Sequence, residues 1–485
     1  MGLGGINADV VFQDISKEDL DEKLLVLKKR FINGSYPSLK ERVERIKKLK
    51  NLVEENLDAF HQALAYDFGT RHEQLSLLSD TKPVINNANN ALKNIRKWMK
   101  PEKRKPNFPL GILGSKAFIH TQPYGVVGVI SPWNFPLNLS LAPLVEIFAA
   151  GNNAMMKLSE FVPATSELTE NLISKTFSED EVVVINGGPK TSQSFSGLDF
   201  DHLLFTGSTS VAKKVALEAS SNLVPLTLEL GGKSPVIIGP NAKMKSSANK
   251  IMMGKLLNAG QICISPDYIF VSEGKEQDFV DEATSFVKES YPTIKNNPDY
   301  TSIIHLNHYE RLKSYIDDAK SKGAKIIEIN PANENFDQQE HHKILPTIIL
   351  NPTDDMEVMK NEIFGPILPV KTYSSFSETI KYINSNPKAL ALYYFGENKD
   401  EIESLLHKTS SGQMVINEVL FQFSMHDLPF GGVGPSGLGS YHGKDGYLNF
   451  SHKRSVLKGQ NILDAGKLVS APYTETTKRN IGMLS

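Results

Sequence analysis

The sequence predicts an α/β protein with two doubly wound parallel-sheet domains, and three observations point there. From about residue 118, short β-branched runs alternate with helical stretches, the rhythm that packs helices on both faces of a parallel sheet. A second series of the same kind begins after Gly231 and Gly232. At 485 residues the chain is long enough for two or three domains, so two such units fit its length.

The first 100 or so residues precede both series. Stretches such as LKERVERIKKLKNLVEENLDAFHQAL space apolar residues three and four apart among charges, with almost no strand signal, so this region is read as helical. The basic run KNIRKWMKPEKRKP at 93–106 is read as a solvated helix end stopped by Pro101, in preference to a grip for phosphates. Strands of the first unit are VVGVI at 126–130, NAMMKL at 153–158, VVVIN at 182–186 and HLLFTG at 202–207. The second unit reads PVIIG, a helical stretch over 243–259, DYIFV, a helix near 276–290, AKIIEI and ILPTIIL. Near residue 430 the run GGVGPSGLGSYHGKDG is too glycine-rich to predict regular structure. QQEHHK at 338–343 reads as a surface loop, since no further His or Cys has a spacing suited to a metal.

The charges nearly cancel, 53 Lys and Arg against 55 Asp and Glu, which gives no global electrostatic case for nucleic acid or an acidic membrane. A small neutral or anionic ligand fits better. One cysteine cannot close an internal disulfide, and neither a secretory h-region nor a run of about eighteen apolar residues is present. The expectation is a soluble cytoplasmic protein without a membrane anchor. The opening MGLGGI resembles a myristoylation start, but Ile6 stands where the pattern wants Ser or Thr.

Five stretches carry candidate chemistry. The fingerprint G-x-G-x-x-G is missing from the first unit, and the GLGG at the N-terminus follows no strand. In FTGSTSVAKKV a strand runs into Gly207, and Ser208 and Thr209 stand where a helix should begin, so free N–H groups could receive a diphosphate. Any capped strand-to-helix turn looks similar. Lys157 ends a strand with Glu160 three residues on, a pair able to hold ribose hydroxyls or to form a surface ion pair. In PWNFP, Asn134 follows Trp133 between two prolines, a stiff turn whose amide can either donate to an oxyanion or serve the turn itself. Glu229 in LELGGKSP ends an apolar strand, where burial would raise its pKa toward that of a general base; an N-cap or an ion pair is the equal alternative. Cys263 in NAGQICISPDY is an inert core residue or a nucleophile, and its small polar neighbours in a helix-to-strand loop make a poor core.

PWNFP, KLSE, FTGST, LELGGKSP, GQICISPDY, NEIFGP and LPFGGVGPSGLGSYHG occur in this order, and with them the chain resembles an aldehyde dehydrogenase, most of all the short class 3 branch, from about residue 20 to 460. The resemblance implies a Rossmann-like cofactor domain over 1–231, a catalytic domain over 232–425, and a tail over 426–485 that returns to the cofactor domain. A small β oligomerisation element, from 105–125 and that tail, would make a homodimer or homotetramer. Carried over residue by residue, Cys263 matches the nucleophile, Asn134 the oxyanion donor and Glu229 the general base. Lys157 and Glu160 match the adenosine-ribose pair, Gly207 and Ser208 the pyrophosphate turn, Trp133 a wall of the cofactor site, and Glu362 and Phe364 the nicotinamide-riboside contacts. Phe430 matches an aromatic lining of the substrate tunnel. Leu158 replaces a customary proline and Ala212 a customary glycine, the latter where a helix approaches the pyrophosphate.

The cofactor implied is NAD, since Glu160 repels a 2′-phosphate, although class 3 relatives accept NADP as well. The chemistry implied is aldehyde oxidation through a cysteine thiohemiacetal and thioester, without a metal, with the thiol pKa lowered by a unit or more from about 8.5 with help from nearby N–H dipoles and the cofactor's positive ring. The sequence is most similar to bacterial members described as coniferyl aldehyde dehydrogenases, so bulky hydrophobic aldehydes are expected, aryl ones first and medium or long aliphatic ones as the alternative. Two rivals stand beside this reading: a CoA-acylating enzyme, which often lacks the base at Glu229, and a non-catalytic binding protein of the same fold.

Overall fold

The computed structural model describes residues 12–34, 36–108, 110–460 and 465–482. The MGLGGI start and its GLGG lie outside them. The N-terminal region is helical over Lys17–Asn33, Leu39–Glu55, Leu57–Phe68 and Lys82–Trp98. Ser38 and Glu41 form a capping box on the second of these, satisfying orphan donors in both directions. Before Lys82 the short helix Glu73–Ser76 passes into a π-turn, Leu77–Thr81, which apolar periodicity does not reveal because one extra residue only shifts the stripe. The helix of the basic run ends at Trp98, short of Pro101, and Glu102–Arg104 is already a strand.

A six-stranded sheet runs in spatial order Gly437–Leu438, Leu226–Glu229, His202–Thr206, Val126–Ile130, Asn153–Lys157, Val182–Ile185. Every pairing in it is parallel except that of Gly437–Leu438. The three middle strands are buried at every position because helices cover both faces, which is why they read as continuous apolar runs. The helix Asn138–Ala150 is buried along its whole length and has no polar face. From Val126–Ile130 the chain builds outward on one side, then crosses back to lay His202–Thr206 on the other. The crevice between those two strands is the switch point beyond which doubly wound sheets hold ligands.

The second sheet has seven strands in the order Lys325–Glu328, Thr347–Leu350, Ile367–Tyr373, Tyr268–Ser272, Pro235–Ile238, Ala391–Phe395, Gln413–Ile416. Only Lys325–Glu328 is antiparallel to its neighbour. Glu229 closes a strand of the first sheet and Pro235 opens one of the second, so Leu230–Ser234 joins the carboxyl edge of one to the amino edge of the other. A third sheet pairs Glu102–Arg104, Lys116–Pro123 and Ser451–Lys458, all antiparallel.

Two expectations are corrected. The helix expected over 243–259 is Met244–Leu256, because Asn258, Ala259 and Gly260 take left-handed backbone angles of +50°, +52° and +74° that no right-handed helix admits. The glycine-rich run holds regular structure after all: the strand Gly437–Leu438 and the helix Gly443–Asn449, both fastened by hydrogen bonds to other parts of the chain. The loop with QQEHHK is anchored by Lys343, whose buried Nζ donates to the Asn297 carbonyl at 2.5 Å. Among the described residues no helix is long and apolar enough to cross a membrane.

Candidate active site

Three of the quoted stretches sit at the carboxyl edge of the six-stranded sheet. Pro132–Pro136 follows Val126–Ile130, Lys157 ends Asn153–Lys157, and Gly207–Ser208 follows His202–Thr206, so the first and last flank the switch point. Ser208 caps the helix Thr209–Ser220 by accepting from the Val211 N–H at 3.4 Å, which leaves other first-turn N–H groups for a ligand. A side chain at Gly207 would press on the Phe205 ring, 2.6 Å from its nearest carbon. Lys157 is buried, donates to the Leu158 carbonyl at 2.6 Å and lies 3.6 Å from the Glu160 carboxylate. Burial pulls its pKa down while Glu160 pulls it up. Leu158 packs in the main core, and Ala212 packs with Phe205, Val215 and Ala219, so the additional methyl is taken up by the interior.

The Cys263 loop lies at the amino edge of the second sheet, five residues before Tyr268–Ser272 begins. Gln261 holds it: Nε2 donates to the carbonyls of Asn258 and Ser302, each at 3.0 Å, and Oε1 accepts from the Ile304 N–H at 3.0 Å. On the far side the Tyr393 hydroxyl donates to the Ile264 carbonyl at 2.6 Å. Cys263 is partly accessible, in a turn closed by the Ser265 N–H on the Ile262 carbonyl at 3.0 Å.

The protein's own groups act on its thiol in both directions. Burial, then the negative charges of Glu362 and Glu229, push its pKa up to about 12, against smaller help from the N–H groups of Cys263 and Ile264. The N–H groups expected to lower it do act in that direction, and burial outweighs them.

Glu229 is buried, and neither carboxylate oxygen has a hydrogen-bond partner among the described residues. Burial raises its pKa well above the ordinary carboxylate range. Glu362 is pushed up to about 8 by burial and by Asp267, and a side chain at Gly231 would collide with its carboxylate. Asn134 donates its amide to the Gln261 carbonyl at 3.1 Å, which ties the PWNFP turn of the first sheet to the cysteine loop of the second. Trp133 meets the Phe364 ring edge-on at 5.5 Å. Phe430 stacks on His442 at 5.1 Å and meets the edges of Phe423 at 4.9 Å and of Tyr441 at 6.3 Å, the last within electrostatic reach of Glu229 and Cys263.

The structure thus brings Cys263, Glu229 and Glu362 within electrostatic reach of one another and links Asn134 to the cysteine loop. It adds residues that sequence reasoning missed. Lys233 pairs with Asp267 and donates to the carbonyls of Val358 at 2.7 Å and Asn361 at 2.9 Å; Asp267 also accepts from the Ile363 N–H at 2.9 Å. These two residues stand inside LELGGKSP and GQICISPDY, so their proximity to quoted stretches was a usable signal. Gln261 stands in GQICISPDY as well, whereas Tyr393 carried no such signal, because only the fold shows what it holds.

The model of the aldehyde dehydrogenase family matches residues 10–456. The chain is 49% identical over 455 residues to a probable coniferyl aldehyde dehydrogenase of Caulobacter vibrioides, covering 93% of this chain and 94% of that one. It is 44% identical over 475 residues to the coniferyl aldehyde dehydrogenase of a Pseudomonas strain, covering 98% and 97%. The solved substrate-bound structure of Staphylococcus aureus AldH superposes with a TM-score of 0.90 at 34% identity, covering 96% of this chain and 99% of that chain. Two sheets facing across a cysteine loop, matched over nearly their whole length by these relatives, place this chain in the aldehyde dehydrogenase family.

Proposed function

We propose that this aldehyde dehydrogenase oxidises bulky hydrophobic aldehydes to their acids, coniferyl-type aryl aldehydes first, with a nicotinamide dinucleotide as hydride acceptor. The observation that carries the reading is a partly accessible Cys263 within electrostatic reach of a buried Glu229 that has no hydrogen-bond partner among the described residues. A carboxylate kept in the interior without a partner is costly unless a proton or a water meets it there.

The residues present fit the dinucleotide. The first turn of Thr209–Ser220 offers N–H groups to a pyrophosphate beside a glycine with no room for a side chain, and Lys157 with Glu160 suits ribose hydroxyls. Glu362, whose Oε1 has no partner among the described residues, suits the second ribose, with Phe364 and Trp133 as aromatic walls. Glu160 favours NAD, since a 2′-phosphate would meet a carboxylate. A bound nicotinamide would supply a positive charge to the site and an acceptor for the substrate's hydride.

The thiolate of Cys263 attacks the aldehyde carbon, and the developing oxyanion is held by the Asn134 amide and the Cys263 N–H. One such donor contributes on the order of 3 kcal/mol to the transition state. Once hydride has left that carbon and a thioester remains, Glu229 takes a proton from water, whose oxygen displaces the Cys263 sulfur and frees the acid. Phe430, Phe423 and His442 give a flat aryl ring apolar faces and edges to pack against. The relatives named as coniferyl aldehyde dehydrogenases support the aryl preference. The segments 1–231, 232–425 and 426–485 are proposed to act as cofactor domain, catalytic domain and returning tail.

Relative kcat/KM values for coniferaldehyde, benzaldehyde, hexanal and dodecanal test the reading, with coniferaldehyde expected highest. A strong preference for acetaldehyde or a charged semialdehyde overturns the substrate class, and a Cys263→Ala variant that still reduces NAD with these aldehydes overturns the mechanism.

A further inference from the structure

We infer that Arg71 and Asp80 form a positioning pair that holds the Asn134 turn in register with Cys263. The inference rests on the proposed role of Asn134 as oxyanion donor. Arg71 lies in the turn after Leu57–Phe68 and Asp80 in the π-turn Leu77–Thr81, both in the N-terminal helical region. Arg71 Nη1 donates to the Asn134 carbonyl at 2.9 Å, while Nη2 donates to Ser79 Oγ at 3.0 Å and to the Asp80 carboxylate. The other Asp80 oxygen accepts from the N–H groups of Leu137 at 3.2 Å and Asn138 at 3.5 Å, and the Asn138 amide donates to the Ser79 carbonyl at 2.8 Å. The turn from Asn134 to Asn138 is therefore gripped at both ends. Phe68 and Phe135 hold the guanidinium between them, 4.5 and 5.3 Å from its carbon.

The grip reaches the nucleophile in two more steps. The Asn134 amide meets the Gln261 carbonyl at 3.1 Å, and Gln261 is two residues from Cys263. Asn258 also donates to the Asn134 carbonyl at 3.4 Å. A fully buried ion pair is an expensive way to stabilise a fold, since apolar side chains of similar volume often do as well. Here burial drives the Arg71 pKa down and the Asp80 pKa up, and each group's charge opposes the shift of the other. What an apolar pair cannot supply is a bifurcated, planar donor that fixes one carbonyl and one carboxylate at once. The π-turn is a further mark, for such single-turn insertions occur often at functional sites.

The test compares Arg71→Lys, Asp80→Asn, Asn134→Ala and the double variant Arg71→Lys/Asn134→Ala. Measured are kcat and KM for coniferaldehyde, cofactor affinity by quenching of protein fluorescence, and thermal unfolding. A misplacement of about 1 Å costs up to about 100-fold, so Arg71→Lys and Asp80→Asn are each expected to lower kcat/KM by about tenfold or more, with cofactor affinity within about twofold of wild type. In the Asn134→Ala background, Arg71→Lys is expected to cost less than about twofold more, because residues acting as one unit are not additive. A tenfold loss that persists in that background, or a loss that follows cofactor affinity and unfolding temperature together, overturns the positioning role. If Arg71→Lys does not fold, Asp80→Asn with its own double variant makes the same comparison. If Asn134→Ala keeps full activity, the oxyanion reading falls and this inference with it, an outcome distinct from additivity.

Discussion

At the scale of single residues, the balance of charge around Cys263 decides most. With its pKa near 12, the thiol of the cofactor-free protein is almost wholly protonated at neutral pH. The positive ring of a bound dinucleotide is expected to oppose the effect of burial on the thiol. Because Cys263 is the sole cysteine, iodoacetamide uptake followed by intact mass reads it directly. The alkylation rate should rise about tenfold per pH unit up to at least about pH 10 without cofactor, and adding NAD should raise it at pH 8. A plateau below pH 8 in the free protein would contradict the raised pKa. Glu229 is raised as well, so turnover limited by thioester hydrolysis should climb with pH, and Glu229→Gln should flatten that climb and let an acyl-enzyme accumulate in the mass spectrum. Glu362→Gln should instead weaken cofactor binding; acyl-enzyme build-up in this variant, and not in Glu229→Gln, would exchange the two roles.

At the scale of elements, the helix Met244–Leu256 has to end abruptly to aim its loop. Gly260 sits at φ +74°, and a side chain there would collide with the Gly365 carbonyl and come within 2.9 Å of the Lys255 carbonyl. Gly260→Ala is therefore expected to destabilise by about 2 kcal/mol or more and to abolish activity, read by thermal unfolding and NADH absorbance. A stable, active Gly260→Ala protein would show that the loop has slack. A second element depends on Asp67, whose carboxylate caps the helix Pro163–Thr176 from a distance, accepting from Ala164 at 3.0 Å and Thr165 at 2.8 Å. Burial raises its pKa to about 6, above the unfolded value of about 3.9. The folded state therefore binds the proton more tightly, and this contribution to stability is full below about pH 4 and lost as pH rises through about 6. The unfolding temperature of wild type relative to Asp67→Asn should increase as pH is lowered from 7 toward 4; a difference independent of pH would contradict it.

For the whole molecule, the third sheet poses the question of assembly. Ser451–Lys458 pairs with Lys116–Pro123 on one side only among the described residues, and most of it is exposed. A long open edge is a template for another chain, and with the exposed Leu457 beside it, this sheet is proposed as the oligomerisation element. Leu457→Asp should shift the sedimentation coefficient toward a monomer while each chain still binds cofactor; an unchanged coefficient would move the interface elsewhere.

What the sequence determined by itself follows from short-range chemistry. Apolar runs such as VVGVI and HLLFTG identify buried parallel strands because a strand covered on both faces has no polar side. Gly231, Gly232 and the small polar residues around Cys263 announce loops where a backbone must approach something closely. The π-turn at Leu77–Thr81 was not legible because one extra residue shifts the apolar stripe without breaking it, and the helix end at Leu256 because the left-handed turn at Asn258–Gly260 packs closely on the distant Gly365 carbonyl. Only the tertiary structure decided that the carboxyl edge of one sheet faces the amino edge of the other, which brings Glu229 from one side and Cys263 from the other. It alone left Glu229 without a hydrogen-bond partner among the described residues, made burial the strongest influence on the thiol pKa, and put Arg71 against the Asn134 carbonyl from 63 residues away. Burial and electrostatic reach are properties of assembled surfaces, and no window of sequence contains both sides of one.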